Sequence, residues 1–216
     1  MFNGFSPETF DFLWGIRMNN EKSWFEAHKP DYVRYVYEPI KALGQEIFNG
    51  FSHAPAMELK VSRIYRDARL HPPVPYKEGL WVCIRHRVQE WSRHPALYFE
   101  IRPEGASYGF VLWQPAPAVM EDFRKDLLAR PKHFPDLLEQ AQTSSGLPFR
   151  AECYKRPKPC EMPAVERFFQ WKGSLEAWRD VAPGEELFTP ALAERVKAAL
   201  LPWLPVCDYF YGLTEK

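Results

Sequence analysis

Features that would assign a function directly are absent from this sequence. It has no glycine-rich phosphate loop, no Gly-x-Ser-x-Gly nucleophile elbow and no dinucleotide-binding fingerprint. No apolar run approaches the roughly 20 residues that a membrane-spanning helix needs. Its four cysteines form no C-x-x-C pair, and isolated cysteines in a cytosolic chain are usually small buried hydrophobes rather than zinc ligands. We therefore expect a soluble protein without a metal or a cofactor, and the common enzyme classes lose support.

The chain also lacks net charge. Its 28 Lys and Arg residues balance 28 Asp and Glu residues, so its formal charge at pH 7 is zero. A protein that grips long nucleic acid through its overall field needs a positive excess, so we expect no such partner. The N-terminus has neither a cationic segment before its first apolar stretch nor a small-residue cleavage site. It does not resemble a secretory signal, and we expect a cytoplasmic protein.

Hydrophobic periodicity predicts the fold class. Apolar residues recur at intervals of three and four up to Ile47, which predicts helices that begin at Ser6-Pro7, Glu21 and Pro30, with a kink or break near Glu38 caused by Pro39. Alternation then predicts strands over 57–62, 80–85, 97–102, 107–113 and 149–153, and favours a strand over a helix for 168–178. Further helices are predicted after Pro117, over 134–141 and from Thr189-Pro190, with a final aromatic turn after Pro202 and Pro205.

Helices first, then strands joined by hairpins, indicate an α+β fold. We expect a largely antiparallel sheet packed with N-terminal, middle and C-terminal helices. A chain of 216 residues can bury one substantial core, so we expect a single domain over residues 1–216.

Basic residues are concentrated between Lys60 and Arg93, where eight stand against three acidic ones. Continuing the alternation from Met57 places Arg63 on the apolar face of its strand, where an unpaired charge is costly. Arginines three residues apart gather on one side of a tight turn, so Arg66 and Arg69 can converge with Arg63. Guanidinium groups match phosphate and carboxylate geometry, and Lys77 adds a point charge. This pattern predicts an anion site in a cleft between the N-terminal helices and the sheet.

Four motifs resemble a known bacterial family. They are Phe2-Asn3-Gly4-Phe5, NNEKSWFEAHKPDY from Asn19 to Tyr32, SRIYRDARL from Ser62 to Leu70 with PYK at Pro75 to Lys77, and YKRPK from Tyr154 to Lys158. Their order over nearly the whole chain is similar to that in the domain-of-unknown-function family 2461. The resemblance implies a single-domain cytosolic α+β protein and no particular reaction. The sequence departs from the family pattern between Leu70 and Val74 and after Pro157, so roles of side chains missing there do not carry over.

Three functions remain open. The first is binding of a small anionic ligand, for which the candidate residues are Arg63, Arg66, Arg69, Lys77, Tyr76, Arg156, Asn19 and Trp24, with Tyr65 as a further wall residue. The second is an enzyme that acts on a phosphorylated or carboxylated metabolite, with Glu26, Asp67 or His28 handling protons. The third is a single-stranded nucleic-acid module.

A purely structural interpretation competes with all three functions. In that interpretation the arginines pair with Asp67, Glu26 or other acids and fasten the first helices to the sheet, because ionic networks and functional sites give the same sequence pattern. Asn20 is interpreted as a helix cap, since asparagine is favoured at that position.

Overall fold

The secondary structure changes where the periodicity changes, between Ile47 and Met57. The computed structural model describes residues 1–54, 56–67, 69, 74–88 and 93–214. The helices in these ranges are α1 (Pro7–Met18), α2 (Lys22–Asp31), α3 (Glu38–Asn49), α4 (Pro117–Ala129), α5 (His133–Ser145), α6 (Glu166–Phe169), α7 (Ala191–Leu200) and α8 (Leu204–Thr214). A π-helical segment, Tyr32–Tyr37, connects α2 to α3. The strands are β1 (Met57–Val61), β2 (Leu80–His86), β3 (Pro95–Arg102), β4 (Gly105–Leu112), β5 (Phe149–Cys153) and β6 (Trp171–Val181).

The six strands described in these ranges form an antiparallel sheet in the order β1-β2-β3-β4-β6-β5. A tight hairpin joins β3 to β4, as its proline and glycine predict. Gly105 has a φ of +136°, and a Cβ there would lie 2.1 Å from the Val181 carbonyl oxygen, so this position requires glycine. The predicted α+β class with a largely antiparallel sheet is confirmed.

The packing divides into two compact units whose segments alternate along the chain. The first contains Met1–Ile84, Tyr98–Tyr108 and Asp180–Lys197, and the second contains Arg85–Leu97, Gly109–Arg179 and Ala198–Lys216. In the first unit, Phe5 stacks on Phe99 with ring centroids 5.8 Å apart. In the second, Phe123 meets Phe134 edge to face at 4.9 Å. Each unit thus has an aromatic core of its own, and the expected single domain stays a prediction.

Pro30 does not begin a separate helix, so that prediction is wrong. It lies inside α2, and the π-helical segment follows α2 without interruption and leads into α3. A proline can stand inside a helix when the carbonyl groups that it leaves unbonded find other partners. The N-terminal region is therefore α1 followed by one long helical path rather than three separate short helices.

Pro39 lies in the first turn of α3, directly after the end of the π-helical segment. Because proline has no N–H, it cannot bond the carbonyl four residues earlier, which belongs to Tyr35. The hydroxyl of Thr9, a fully buried residue of α1, donates to that carbonyl at 2.6 Å. The predicted kink or break is thus a switch from π to α geometry at Glu38, with Thr9 replacing the missing donor.

The C-terminal aromatic segment was predicted as a turn, and this prediction is wrong. It forms α8, and Pro205 occupies the first turn of this helix, where its missing N–H has no partner to lose. The segment that fitted either a strand or a helix contains both, since α6 precedes β6 directly. Within the described residues, no helix combines the length and the apolar character needed to cross a membrane.

Replacing Thr9 with valine should lower the free energy of unfolding by about 1–3 kcal/mol, because the Tyr35 carbonyl loses its donor. In a Pro39→Ala background the new N–H can bond that carbonyl, so Thr9→Val should cost at least about 1 kcal/mol less there. Urea unfolding of the four proteins measures this double-mutant cycle. Thr143→Val, at an exposed position in α5, is the control and should change stability by less than about 0.5 kcal/mol. Equal costs in the two backgrounds would contradict the assignment.

Candidate functional site

Two segments within the basic stretch pair with each other as a short antiparallel bridge. Tyr65 forms an isolated bridge with Tyr76. On either side of it, the Arg66 N–H donates to the Pro75 carbonyl at 2.8 Å, and the Lys77 N–H donates to the Ile64 carbonyl at 2.7 Å. Between the two bridged tyrosines, positions 68 and 70–73 lie outside the described residues. The bridge fixes the backbone on both sides of this segment and places Arg66 close to Lys77.

Arg63 does not lie on the apolar face of the strand, so this prediction is wrong. β1 ends at Val61, and the next inward side chain is the buried Ser62, which leaves Arg63 exposed. Two bonds fix this shift of phase. The Ser62 N–H donates to the Trp81 carbonyl at 2.8 Å, and the Trp81 N–H donates to the Ser62 hydroxyl oxygen at 2.9 Å. Arg63 is therefore available to solvent and to a ligand.

Asn20 anchors the bridge to the N-terminal helices. Its amide nitrogen donates to the Tyr76 carbonyl at 3.1 Å, and the Tyr76 N–H donates to its amide oxygen at 3.0 Å. The N-cap of α2 is instead Glu21, so the interpretation of Asn20 as a helix cap is wrong. Phe25 of α2 stacks on the Tyr76 ring with centroids 4.3 Å apart. The sequence could not reveal that Asn20 anchors Tyr76, because these two residues are 56 positions apart and no local pattern connects them.

Arg63, Arg66 and Lys77 form what we call the basic cluster. Burial, followed by the positive charges of Arg66 and Arg63, lowers the pKa of Lys77. No carboxylate of the described residues lies within 4.0 Å of any of the three cationic groups. The Lys77 ammonium instead lies 5.6 Å from the centroid of the Trp81 ring. The cluster therefore holds positive charge that the described protein does not balance at short range.

Arg69 follows the competing structural interpretation. Its Nε and a terminal nitrogen donate to the two carboxylate oxygens of Asp67 at 3.0 and 2.6 Å, and its side chain is 87% exposed. Asp67 is thus paired with Arg69, two residues after it in the chain. Glu26, the other acid named as a partner for the arginines, lies 3.7 Å from the Lys29 ammonium. The carboxylates of Asp67 and Glu26 are thus each paired with a cation outside the basic cluster.

The remaining predicted site residues occupy other places. The Asn19 amide donates to the Gly15 carbonyl at 3.0 Å and so closes the end of α1. Trp24 stacks on His28 with ring centroids 4.0 Å apart. Arg156 is exposed and belongs to the second unit. The structure therefore brings Arg63, Arg66, Lys77 and Tyr76 together, and gives Asn19, Trp24 and Arg69 contacts of their own.

A cleft between α1, α2 and the π-helical segment differs from the expected anion site. It has a volume of about 440 Å³ and is lined by Glu8, Asp11, Phe12, Trp24, His28, Asp31 and Tyr35. Its charged side chains are three carboxylates, and neither lysine nor arginine is among its lining residues. We call it the acidic cleft. Three carboxylates disfavour an anion in this cleft, and its lining does not include the residues of the basic cluster.

A comparison with protein families supports the resemblance that the four sequence motifs indicate. The family model described as conserved hypothetical protein (DUF2461) matches residues 8–209 of the 216. The chain belongs to this family. No curated protein matches it. The resemblance inferred from the sequence motifs is confirmed, and the DUF2461 match covers both the basic cluster and the acidic cleft without naming a reaction.

Replacing Asn20 with alanine should lower the free energy of unfolding by about 1–3 kcal/mol, because two backbone groups of Tyr76 lose their partner. It should also speed hydrogen exchange at the Tyr76 amide more than at core amides. Urea unfolding and amide exchange measure the two effects. Asn19→Ala is the matched neighbour, and it should cost less than about 1 kcal/mol since only one exposed bond is lost. A larger loss for Asn19→Ala would show that Asn20 does not anchor the bridge.

Proposed function

We propose that this protein binds a small anion, a phosphate- or carboxylate-bearing molecule, at the basic cluster. The observation that carries the proposal is the set of three adjacent cations with no carboxylate of the described residues within 4.0 Å. Burial, followed by the positive charges of Arg66 and Arg63, lowers the pKa of Lys77, so holding these like charges together costs free energy. An anion held between them offsets the repulsion.

The donors of the cluster suit a tetrahedral or planar anion. Arg66 uses its Nε to donate to the Tyr76 carbonyl at 2.8 Å, and its two terminal nitrogens have no partner among the described residues. Arg63 is exposed and Lys77 is half-buried. Two guanidinium forks and one ammonium can together bind several oxygen atoms of one phosphate. The bond of Arg66 to Tyr76 and the anchor at Asn20 fix one fork before the ligand arrives, which reduces the entropic cost of binding.

Two aromatic side chains, Tyr65 and Trp81, border the basic cluster. Tyr65, which stands between the two arginines, is 52% exposed. Trp81 is half-buried beside the Lys77 ammonium. Small-molecule sites commonly combine apolar walls with a few fixed polar groups. A ligand that carries an organic group beside its anionic group is therefore favoured over a bare inorganic ion.

Titration calorimetry with inorganic phosphate and with phenyl phosphate tests the proposal. Arg63→Gln and Lys77→Met should each weaken phenyl phosphate binding about tenfold, because each removes one charge-assisted contact. Lys60→Gln, which removes the same charge from an exposed strand residue paired with Glu58 at 3.4 Å, should change the affinity less than about twofold. Phenyl phosphate should bind more tightly than phosphate. Equal weakening by all three substitutions, or no binding at about 10 mM, would overturn the proposal.

Lys77→Met should also raise the melting temperature of the ligand-free protein at neutral pH, because a charge that its neighbours repel is removed. The sign follows from the pKa. In the folded state Lys77 loses its proton below its ordinary value of 10.5, so the unfolded chain binds more protons in that window and the wild-type stability rises with pH. The advantage of Lys77→Met should therefore shrink as the pH approaches 10.5. Thermal melts from neutral to alkaline pH measure it, and a destabilised Lys77→Met protein would show that Lys77 has a structural role instead.

A further inference from the structure

The acidic cleft carries charge that the described protein leaves unbalanced. Among the described residues, no lysine or arginine nitrogen lies within 4.0 Å of the carboxylates of Glu8, Asp11 or Asp31. Arg34 is a nearby cation, and its guanidinium lies over the Tyr35 ring at 5.2 Å. It is not one of the residues that line the cleft. The positive charge of Arg34 contributes to lowering the pKa of Glu8, after hydrogen bonds from Ser6 and from the backbone. Three carboxylates from α1 and α2 thus line one concave volume, and no lysine or arginine nitrogen of the described residues lies within 4.0 Å of them.

Aromatic rings form the walls between these carboxylates. Phe12 and Trp24 lie with ring centroids 5.6 Å apart, and Tyr35 completes the lining from the π-helical segment. Gly15 makes this arrangement possible, because a Cβ there would lie 2.5 Å from the Trp24 ring. The faces of aromatic rings attract ammonium groups, and their edges pack well against methylene chains. The walls are therefore suited to a cation with an alkyl part.

His28 adds a directed group to the same cleft. Its Nδ1 lies 2.8 Å from the Trp24 carbonyl oxygen. A carbonyl oxygen only accepts, so Nδ1 carries the proton, and in the neutral ring Nε2 keeps its lone pair. Stacking on Trp24 fixes the plane of the imidazole. When the ring is neutral, His28 therefore adds a ring nitrogen that can accept an N–H donor of a ligand.

The geometry points to an organic cation rather than a metal ion. The described residues contain no group of three His, Cys, Asp or Glu side chains that could hold a metal. The volume of about 440 Å³ lies within the range of roughly 300–1,000 Å³ that small-molecule sites occupy. Three carboxylates that do not form one metal site can each bind a different ammonium group of one longer ligand.

We infer that the acidic cleft binds a short alkyl polyamine. Its ammonium groups pair with Glu8, Asp11 and Asp31, and its methylene segments lie against Phe12 and Trp24. A monoamine neutralises one carboxylate and leaves two uncompensated. A polyamine balances the charge of the whole cleft, and it does so independently of an anion at the basic cluster.

Titration calorimetry with spermidine at constant ionic strength tests this inference. The wild-type protein should bind one spermidine with a dissociation constant between about 10 μM and 1 mM. Asp11→Asn and Asp31→Asn should each weaken binding about fivefold, and the double variant at least about twentyfold. Both aspartates are exposed, so the variants should fold, and thermal melts verify this. Glu139→Gln, an exposed carboxylate on α5, is the control for loss of one negative charge and should change the affinity less than about twofold.

Three outcomes would overturn the inference. Equal weakening by Glu139→Gln and Asp11→Asn would show attraction to overall charge rather than to the cleft. Magnesium chloride that competed with spermidine as strongly as putrescine does would show that any multivalent cation suffices. A trilysine peptide that bound at least about tenfold more tightly than spermidine would assign the cleft to a basic protein segment.

Discussion

The paired hydrogen bonds between the Asn20 amide and the Tyr76 backbone are the constraint on which the geometry of the basic cluster depends. An antiparallel bridge of a few residues has too little buried surface to hold its conformation in water. Asn20 fixes the middle of this bridge by satisfying both polar groups of one residue. Because the Tyr76 carbonyl also accepts from Arg66 Nε, the same backbone atom positions a helix junction and a cationic side chain. The Tyr76 carbonyl therefore both holds the bridge to the N-terminal helices and orients a side chain of the candidate site.

Helix α2 separates two surfaces of opposite charge. Successive residues of a helix point about 100° apart, so neighbours on α2 can serve different sides. Trp24 packs on Phe12 and His28 beside the acidic cleft, whereas Phe25 packs on Tyr65 and Tyr76 beside the basic cluster. The formal charge of the chain is zero, yet the three cations and the three carboxylates do not pair with one another. Neutrality of the whole chain thus conceals a local separation of charge, which is what selective binding of small ions requires.

Local rules predicted the fold, and they failed where distant contacts decide. The two periodicities gave the order of helices and strands, because each element buries one face and the spacing of apolar residues records which face. Arg63 was placed inward because the alternation was extended by two residues, whereas the bonds of Ser62 to Trp81 shift the phase after Val61. The preference of proline for the first turn of a helix predicts a helix start at Pro30, whereas the structure places Pro30 inside α2. Predicting the acidic cleft required knowing that α1 and α2 pack together, and no spacing within either helix contains that information.

The candidate site also differed from prediction for a reason of charge balance. Three arginines at equal spacing look equivalent in the sequence, but in the structure Arg69 donates to both carboxylate oxygens of Asp67, two residues before it. Arg63 and Arg66 have no carboxylate of the described residues within 4.0 Å, although Asp67 follows Arg66 directly in the sequence. The spacing of the acids around a basic run is therefore more informative than the number of its cations.

The π-helical segment connects the fold to the acidic cleft. A π turn inserts one residue beyond α-helical spacing and is less stable than an ordinary turn, so it persists only where the surroundings require it. Here Pro39 removes a donor, and the buried Thr9 hydroxyl compensates the Tyr35 carbonyl. A hydrogen bond from α1 to the backbone of Tyr35 fixes this residue at the wall that α1 and α2 complete. The π-helical segment therefore contributes Tyr35 to the lining of the acidic cleft, which α1 and α2 complete.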